Sequence, residues 1–105
     1  IVFTASLQTS APKSNVEYVQ IDFENKLLIQ ICKVLYERQI QSLIVEGGAK
    51  TITSFIETGL WDEAHVYIGE ANFEEGLTAP ILQNEPIITS SIDTDTFKLF
   101  LNASD

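Results

Sequence analysis

The feature that most constrains the fold is a short apolar run that stops at two glycines. Leu43-Ile44-Val45 is apolar without alternation, which is typical of a strand covered on both faces of a parallel sheet. Glu46, Gly47 and Gly48 interrupt the run, and apolar residues at helical spacing begin directly afterwards. A buried strand that turns at once into a helix is a building unit of α/β folds, so this stretch predicts an α/β protein.

Hydrophobic periodicity predicts the other elements. Apolar residues at helical spacing indicate one helix that ends near Arg38 and a second with Gly59 at its C-cap. Asp22 and Asn25 are candidate N-caps for the first helix. The order of strands and helices predicts an α/β sheet with an antiparallel edge. β-Branched and aromatic runs predict strands, the last two as an antiparallel pair, at residues 1–4, 16–21, 64–68, 87–89 and 97–101.

Charge and composition exclude several classes of partner. The 105 residues include 15 acidic and 6 basic side chains, a formal charge of −9. We therefore expect neither nucleic acid nor an anionic membrane as partner, and a phosphate-bearing ligand would need local donors. The single Cys32 lies in a helical apolar pattern, which predicts a buried filler in a reducing compartment. Because no signal peptide or long apolar run is present in the sequence, we expect a soluble, cytoplasmic protein.

The stretch from Glu46 to Gly48 is also the first candidate binding site. Ligands of open α/β sheets bind beyond the carboxyl ends of the strands. Two glycines allow a ligand to approach the main chain, and the free N–H groups of the following helix attract anions. Lys50, Thr51 and Thr53 add side-chain donors. The alternative is a tight turn that binds nothing.

Four further residues could take part in a site, and three of them have two interpretations. Glu46 either lies in solvent or accepts hydrogen bonds from hydroxyl or amino groups of a polar substrate. Thr4 and Ser6, at the end of the first strand, either contact a ribose or phosphate or cap their own loop. His65 has no Cys, Ser or second His near it in sequence, which indicates a packing or surface residue. The sequence has no metal-ligand spacing and no nucleophile motif.

Three motifs together resemble a known family. S-L-I-V-E-G-G at 42–48, T-G-L-W-D-E at 58–63 and H-V-Y-I at 65–68 are similar, in order and spacing, to the C-terminal reductase domain of the bifunctional riboflavin biosynthesis deaminase/reductase. The resemblance covers most of the chain and is strongest from Ser42 to Ile68. It implies a dihydrofolate-reductase-like fold, a mixed sheet flanked by helices with a C-terminal antiparallel hairpin. Residues 1–105 would be the C-terminal portion of a single reductase domain, truncated at its N-terminus.

The same resemblance implies an activity and a set of site residues. The activity is NADPH-dependent reduction of the ribosyl group of 5-amino-6-(5-phosphoribosylamino)uracil to ribityl, in which the cofactor supplies the hydride and the protein supplies binding and orientation. Glu46 would contact the substrate, and no catalytic residue or metal ligand is assigned. The resemblance implies contacts with NADPH near its phosphates by Gly47, Gly48, Ala49, Lys50, Thr51 and Ile52. It implies contacts at the adenosine end of NADPH by Thr4 and Ser6.

The resemblance further implies a homodimer and an N-terminal deaminase domain in the parent chain. Two features depart from the family pattern. The segment 69–76 is acidic and lacks the Ala-Pro that usually follows the Y-I strand, and we expect that the N-terminal part of the reductase domain is not included in these residues. We therefore expect the isolated chain to be inactive or nearly so. Two alternatives stay open: a dihydrofolate-reductase relative acting on another pterin or pyrimidine, and a non-catalytic α/β interaction or dimerisation module.

Overall fold

The structure, a computed structural model, describes residues 1–6, 15–70, 76 and 78–103. The chain divides into unit 1, Ile1–Ile44, and unit 2, Val45–Asp105, and each is described by itself. Helices and strands are both present, so the predicted α/β class is confirmed. The elements in chain order are β1 (Val2–Thr4), β2 (Tyr18–Gln20), α1 (Leu27–Glu37), α2 (Ala49–Thr58), β3 (Glu63–Ile68), β4 (Ile88–Ile92) and β5 (Asp95–Leu101).

Unit 1 contains a parallel pair of strands followed by a helix. β1 and β2 pair in register from Val2 opposite Tyr18 to Thr4 opposite Gln20, and the Ile21 N–H continues the ladder to the Thr4 carbonyl at 2.9 Å. Ile21 is the buried apolar residue of this unit among those described. Both strands and the helix agree with the sequence prediction, and parallel pairing places the carboxyl ends of the two strands at one edge.

The predicted caps of α1 are wrong. The N-cap is Lys26, in a left-handed conformation with φ 49° and no side-chain cap. Asp22 and Asn25 instead belong to a turn upstream of the helix, where the Asp22 carboxylate accepts the Glu24 N–H at 2.9 Å. The Gln30 side chain donates to the Asp22 carbonyl at 2.7 Å and also to the Asn25 carbonyl. The polar groups of Asp22 and Asn25 therefore stabilise the turn and do not cap the helix.

The predicted buried strand at residues 42–45 is also wrong. No strand is assigned there, Leu43 is 53% exposed and Ile44 is 86% exposed. An apolar run becomes a buried strand only where neighbouring strands pair with its N–H and C=O groups. Within the described part of the chain no strand pairs with this segment. The strands consequently form a two-stranded and a three-stranded sheet instead of one mixed sheet.

Unit 2 begins with the second helix. α2 ends as predicted at Gly59, whose left-handed conformation (φ 72°) lets its N–H return to the Ile56 carbonyl at 3.2 Å. Its apolar positions follow the helical period, and Phe55 is buried. The Asn102 side chain donates to the carbonyls of Gly59 and Trp61 at 3.0 and 2.7 Å, which ties the end of β5 to the loop after the helix.

The sheet of unit 2 is antiparallel, with strand order β3-β5-β4. β4 and β5 form the predicted C-terminal hairpin, whose register closes with Ile92 opposite Asp95, and Asp93 in the turn has φ 52°. Phe100 on the central strand is buried. The period of two along each strand separates the face that contains Phe100 from a second, more exposed face.

Three smaller predictions have separate outcomes. Cys32 is half-buried, less than the buried filler that the pattern predicted. Most of the acidic segment 69–76 lies outside the described residues, so its role stays a prediction. Within the described ranges, no helix is both long enough and apolar enough to cross a membrane.

Candidate functional site

The two glycines before α2 have backbone conformations that favour glycine. Gly47 has φ 76° and Gly48 has φ 47°. A Cβ added at Gly47 would meet no atom within 4 Å, and one at Gly48 would meet only the Thr51 hydroxyl oxygen at 3.9 Å. Glycine is therefore needed here for its freedom at positive φ and not for lack of room. The space beside this backbone is open within unit 2.

The start of α2 is rich in hydrogen-bond donors. Gly48 is the N-cap and provides no side-chain acceptor, and the first intrahelical bond runs from the Ile52 N–H to the Gly48 carbonyl at 3.3 Å. The N–H groups of Ala49, Lys50 and Thr51 consequently have no acceptor within the helix. No acidic residue lies in the first turn, and Lys50 is exposed. These features suit an anion such as a phosphate.

Glu46 lies one residue before the glycines and is exposed. Among the described residues no hydrogen bond or ion pair holds its carboxylate, so both oxygens can accept bonds from a ligand. The predicted cofactor residues Gly47 to Ile52 and the predicted substrate residue Glu46 are thus adjacent, as their sequence requires. Their roles stay predictions.

Thr4 and Ser6 lie at the carboxyl end of β1, in unit 1. The Thr4 hydroxyl donates to the Ser6 carbonyl at 2.9 Å, and the Ser6 N–H donates to the Thr4 hydroxyl oxygen at 3.4 Å. This is the loop-capping arrangement that the sequence left as one of two interpretations. The Ser6 side chain is exposed at the same edge. A cofactor contact by either residue stays a prediction.

A cavity of about 460 Å³ opens at the carboxyl ends of β1 and β2. None of its lining residues was among the site residues predicted from the sequence. The rule that ligands bind beyond strand ends, applied to the predicted strand 16–21, would have pointed to the polar residues that follow it. The residues that line the cavity are Ala5, Gln20, Ile21, Asp22, Phe23, Glu24 and Gln30.

The described residues along the cavity are mostly polar, and one is aromatic. They include the acidic Asp22 and Glu24, and Phe23 is 48% exposed. Gln30 fixes the turn, since its side-chain oxygen accepts the Asp22 N–H at 2.9 Å while its amide nitrogen donates to the Asp22 carbonyl at 2.7 Å. The Gln20 amide donates to the Ala5 carbonyl at 3.2 Å. Among the described residues that line it, none has a cationic side chain.

The sole arginine of the sequence lies at the other end of the parallel pair. Arg38 caps the C-terminus of α1 and donates from Nε to the Glu17 carboxylate at 2.7 Å. Glu17 precedes β2, and its carbonyl accepts the Val2 N–H at the amino end of the pair. The hydrogen bond from Arg38 lowers the pKa of the Glu17 carboxyl, and the same bond raises the pKa of the Arg38 guanidinium. Arg38 is therefore engaged in an ion pair with Glu17 and is not among the residues that line the cavity.

His65 is a surface residue, as predicted. Its Nε2 lies 3.4 Å from the Glu63 carboxylate, and its ring meets Phe97 edge-on with centroids 5.7 Å apart. The described residues contain no group of three or more His, Cys, Asp or Glu that could hold a metal ion. The contact of the His65 ring with Phe97 shows that this ring packs against the sheet.

Comparisons with known proteins identify the family. The family model of the RibD C-terminal domain matches residues 2–72, which include β1, β2, both helices and β3. The riboflavin biosynthesis protein RibD of Aquifex aeolicus (strain VF5) is 37% identical over 79 residues, which are 74% of this chain and 22% of that protein. The chain thus spans about a fifth of the length of this relative. The match over more than half of its residues shows that this chain belongs to the RibD C-terminal domain family.

Proposed function

We propose that this chain is part of a reductase of riboflavin biosynthesis. The reaction is reduction of the ribosyl group of 5-amino-6-(5-phosphoribosylamino)uracil to ribityl, with NADPH as the reductant implied by the resemblance. One observation carries the proposal: within the matched region 2–72, Glu46, Gly47 and Gly48 lead into a helix N-terminus with free N–H groups and no acid in its first turn. In the parent protein an N-terminal deaminase domain would accompany it.

The residues at the start of α2 fit the pyrophosphate of a pyridine nucleotide. That group is an anion that backbone N–H groups and a helix dipole stabilise. Gly47 and Gly48 leave the approach open, because a Cβ at either would meet at most one atom within 4 Å. Ala49, Lys50 and Thr51 would donate to the phosphate oxygens, and the Ile52 N–H continues the helix. When bound, NADPH would supply the hydride.

The remaining predicted residues would act around the cofactor. Glu46 would accept hydrogen bonds from the amino or hydroxyl groups of the pyrimidine substrate and so orient it. Ser6, with its exposed hydroxyl, and Thr4, which holds the loop, would lie at the adenosine end. The nicotinamide and pyrophosphate are common to NADPH and NADH, so these assignments hold for either nucleotide. We propose a cytoplasmic location on the same family grounds.

The test is a titration of the chain with NADPH and, in parallel, with NADH. Gly48→Asp places a carboxylate where the phosphate would lie and should abolish saturable binding of both nucleotides. The matched control is Gly59→Asp, which has the same charge change and also lies at positive φ in open space, but at the other end of α2. The control should bind normally. Absence of nucleotide binding by the unaltered chain, or equal loss in both variants, would refute the proposal.

A non-catalytic interaction module is the second candidate, and the sheet of unit 2 favours it. On the face opposite to Phe100, Tyr67 is 67% exposed, and Ile88 and Ile92 are 48% and 52% exposed. Tyr67 stacks at 5.0 Å on Phe97 of the same face. Clustered exposed apolar side chains mark interaction surfaces. We propose that this face pairs with a second copy of the chain, which would give the homodimer that the resemblance implies.

Sedimentation of the chain tests this second candidate. Tyr67→Lys combined with Ile92→Lys should convert a dimer to a monomer. Lys33→Glu on the exposed face of α1 is a control for a surface charge change and should leave the dimer intact. A monomeric unaltered chain would contradict the pairing.

A further inference from the structure

Asn102, the residue that follows β5, holds the connection between α2 and β3. Its backbone N–H donates to the Asp62 carbonyl at 2.9 Å, and its side-chain nitrogen donates to the carbonyls of Gly59 and Trp61 at 3.0 and 2.7 Å. Gly59 is the C-cap of α2, and Asp62 directly precedes β3. Asn102 therefore ties the C-terminal end of α2 to the end of β5, across 43 positions of sequence.

An asparagine side chain suits this position for a chemical reason. The helix satisfies its own last carbonyls through the N–H groups of Gly59 and Leu60. The carbonyls of Gly59 and Trp61 lie beyond these bonds, and Asn102 donates to both from one nitrogen. An amide nitrogen on a short side chain carries the two donors that this arrangement needs, whereas an ionised aspartate of the same shape carries none.

The length of α2 makes it dependent on such an anchor. The helix has 10 residues, and an isolated helix of that length is marginally stable in water. Phe55 is the one buried residue among these ten, all of which the structure describes, and no side chain caps the N-terminus. Loss of the bonds from Asn102 should therefore shift α2 toward a locally unfolded state.

The opposite end of α2 is the segment that the proposed function assigns to the pyrophosphate. The N–H groups of Ala49, Lys50 and Thr51 align with the helix axis, and they act together only while the helix is formed. The apparent affinity for a ligand falls with the population of the conformation that binds it. Bonds at the C-terminal end of α2 can therefore set the affinity at its N-terminal end, about 15 Å away along the helix.

We propose that Asn102 is a positioning residue for the nucleotide site: it keeps α2 formed and acts through the helix, not through a contact with the ligand. The inference rests on the proposed function and deepens it, because it places control of nucleotide affinity at the far end of α2. All residues in the argument lie in unit 2. Nucleotide bound at residues 47–52 should in turn stabilise α2.

The experiment compares Asn102→Asp with Asn84→Asp in the full chain. The Asn84 side chain also donates to a carbonyl at the end of β5, that of Leu101 at 2.7 Å, but this bond does not involve residues 59–62. Both variants replace an amide donor by a carboxylate and change the net charge equally. Hydrogen exchange of the α2 amides in the unliganded chain should become about tenfold faster in Asn102→Asp and stay unchanged in Asn84→Asp.

Calorimetric titration with NADPH measures the consequence for binding. Asn102→Asp should bind about threefold to tenfold more weakly than the unaltered chain, and Asn84→Asp should bind normally. Saturating NADPH should restore slow exchange of the α2 amides in Asn102→Asp, because the ligand binds only the formed helix. A residue that only stabilised the sheet would produce none of these differences.

Circular dichroism confirms that each variant is folded. Asn102→Ser retains one donor, should weaken binding to an intermediate degree, and tests the same point if Asn102→Asp does not fold. NADPH affinity that is unchanged in the Asn102 variants, or equally weakened in Asn84→Asp, overturns this inference and leaves the proposed function standing. If the unaltered chain binds no nucleotide, the proposed function fails and this inference fails with it.

Discussion

The two candidate binding regions of this chain differ in what their polar atoms offer. In unit 2, the start of α2 presents backbone N–H groups and Lys50, with no acid in the first turn. In unit 1, the described residues that line the cavity beyond β1 and β2 include the acidic Asp22 and Glu24 and no cationic residue. A chain of net charge −9 thus has one segment whose donors suit an anion and another whose described side chains do not. Net charge limits the partners, but the position of each donor and acceptor decides the ligand.

The largest expected effect concerns the scaffold of unit 2. Phe100→Ala removes a ring that is 8% exposed on the central strand and should cost about 3 kcal/mol of unfolding free energy. Phe97→Ala on the same strand, whose ring is half-buried on the other face, should cost about 1 kcal/mol. Denaturant unfolding measures both changes. An equal or larger loss for Phe97→Ala would show that the core of unit 2 lies on the Phe97 face of the sheet and not on the Phe100 face.

A smaller effect is expected where Gln30 fixes the cavity of unit 1. Gln30→Ala removes the bonds to the Asp22 N–H and to the Asp22 and Asn25 carbonyls. It should cost about 1 kcal/mol of stability, because the turn loses these bonds. Gln41→Ala, at an exposed position, is the control and should leave the stability unchanged. Denaturant unfolding measures both variants, and an unchanged stability in Gln30→Ala would show that these bonds do not hold the turn.

Glu46→Gln tests whether the Glu46 side chain contacts the substrate or the cofactor. The substitution keeps the shape of the side chain and removes the negative charge one residue before the glycines. Because that charge repels a phosphate, nucleotide binding should tighten about twofold, while stability changes by less than about 0.5 kcal/mol. Calorimetry on the variant measures the affinity. A clear weakening of nucleotide binding would mean that Glu46 contacts the cofactor instead of the substrate.

The smallest effect concerns the ion pair of unit 1. Glu17 has a lowered pKa because Arg38 donates to its carboxylate, so the pair stabilises the fold above the ordinary glutamate pKa and loses its effect as pH falls through the lowered value. Glu17→Gln should lower the melting temperature slightly at about pH 7, and this difference should shrink as the pH falls through the lowered pKa of Glu17. Thermal unfolding over a series of falling pH values measures this. A difference that does not shrink on acidification would exclude the ion pair as its cause.

Local pattern was sufficient for most elements of the fold. α1, α2, β3 and the C-terminal hairpin follow from apolar spacing and from Gly59, because these signals act within a few residues. The run at 42–45 failed because a buried strand depends on partners that the run itself does not encode. The caps of α1 failed for a related reason: Gln30 holds Asp22 and Asn25 in a turn. The N-cap preferences of single residues do not include such a contact with a distant side chain.

The candidate site was predictable in part for the same physical reason. Residues 46–52 are contiguous, so their sequence alone indicates a carboxylate, two glycines and a helix start. The cavity needs β1 to pair with β2 and needs Gln30 to fold back from α1, and neither contact is local in sequence. The signal available in the sequence was the run of polar residues that follows the predicted strand 16–21.

The most direct test of the central claim is an amide chemical-shift map of the chain during titration with NADPH. We expect the shifts to concentrate at residues 47–52, where the pyrophosphate would bind. Shifts confined to other residues, or no shifts at saturating nucleotide, would contradict this site.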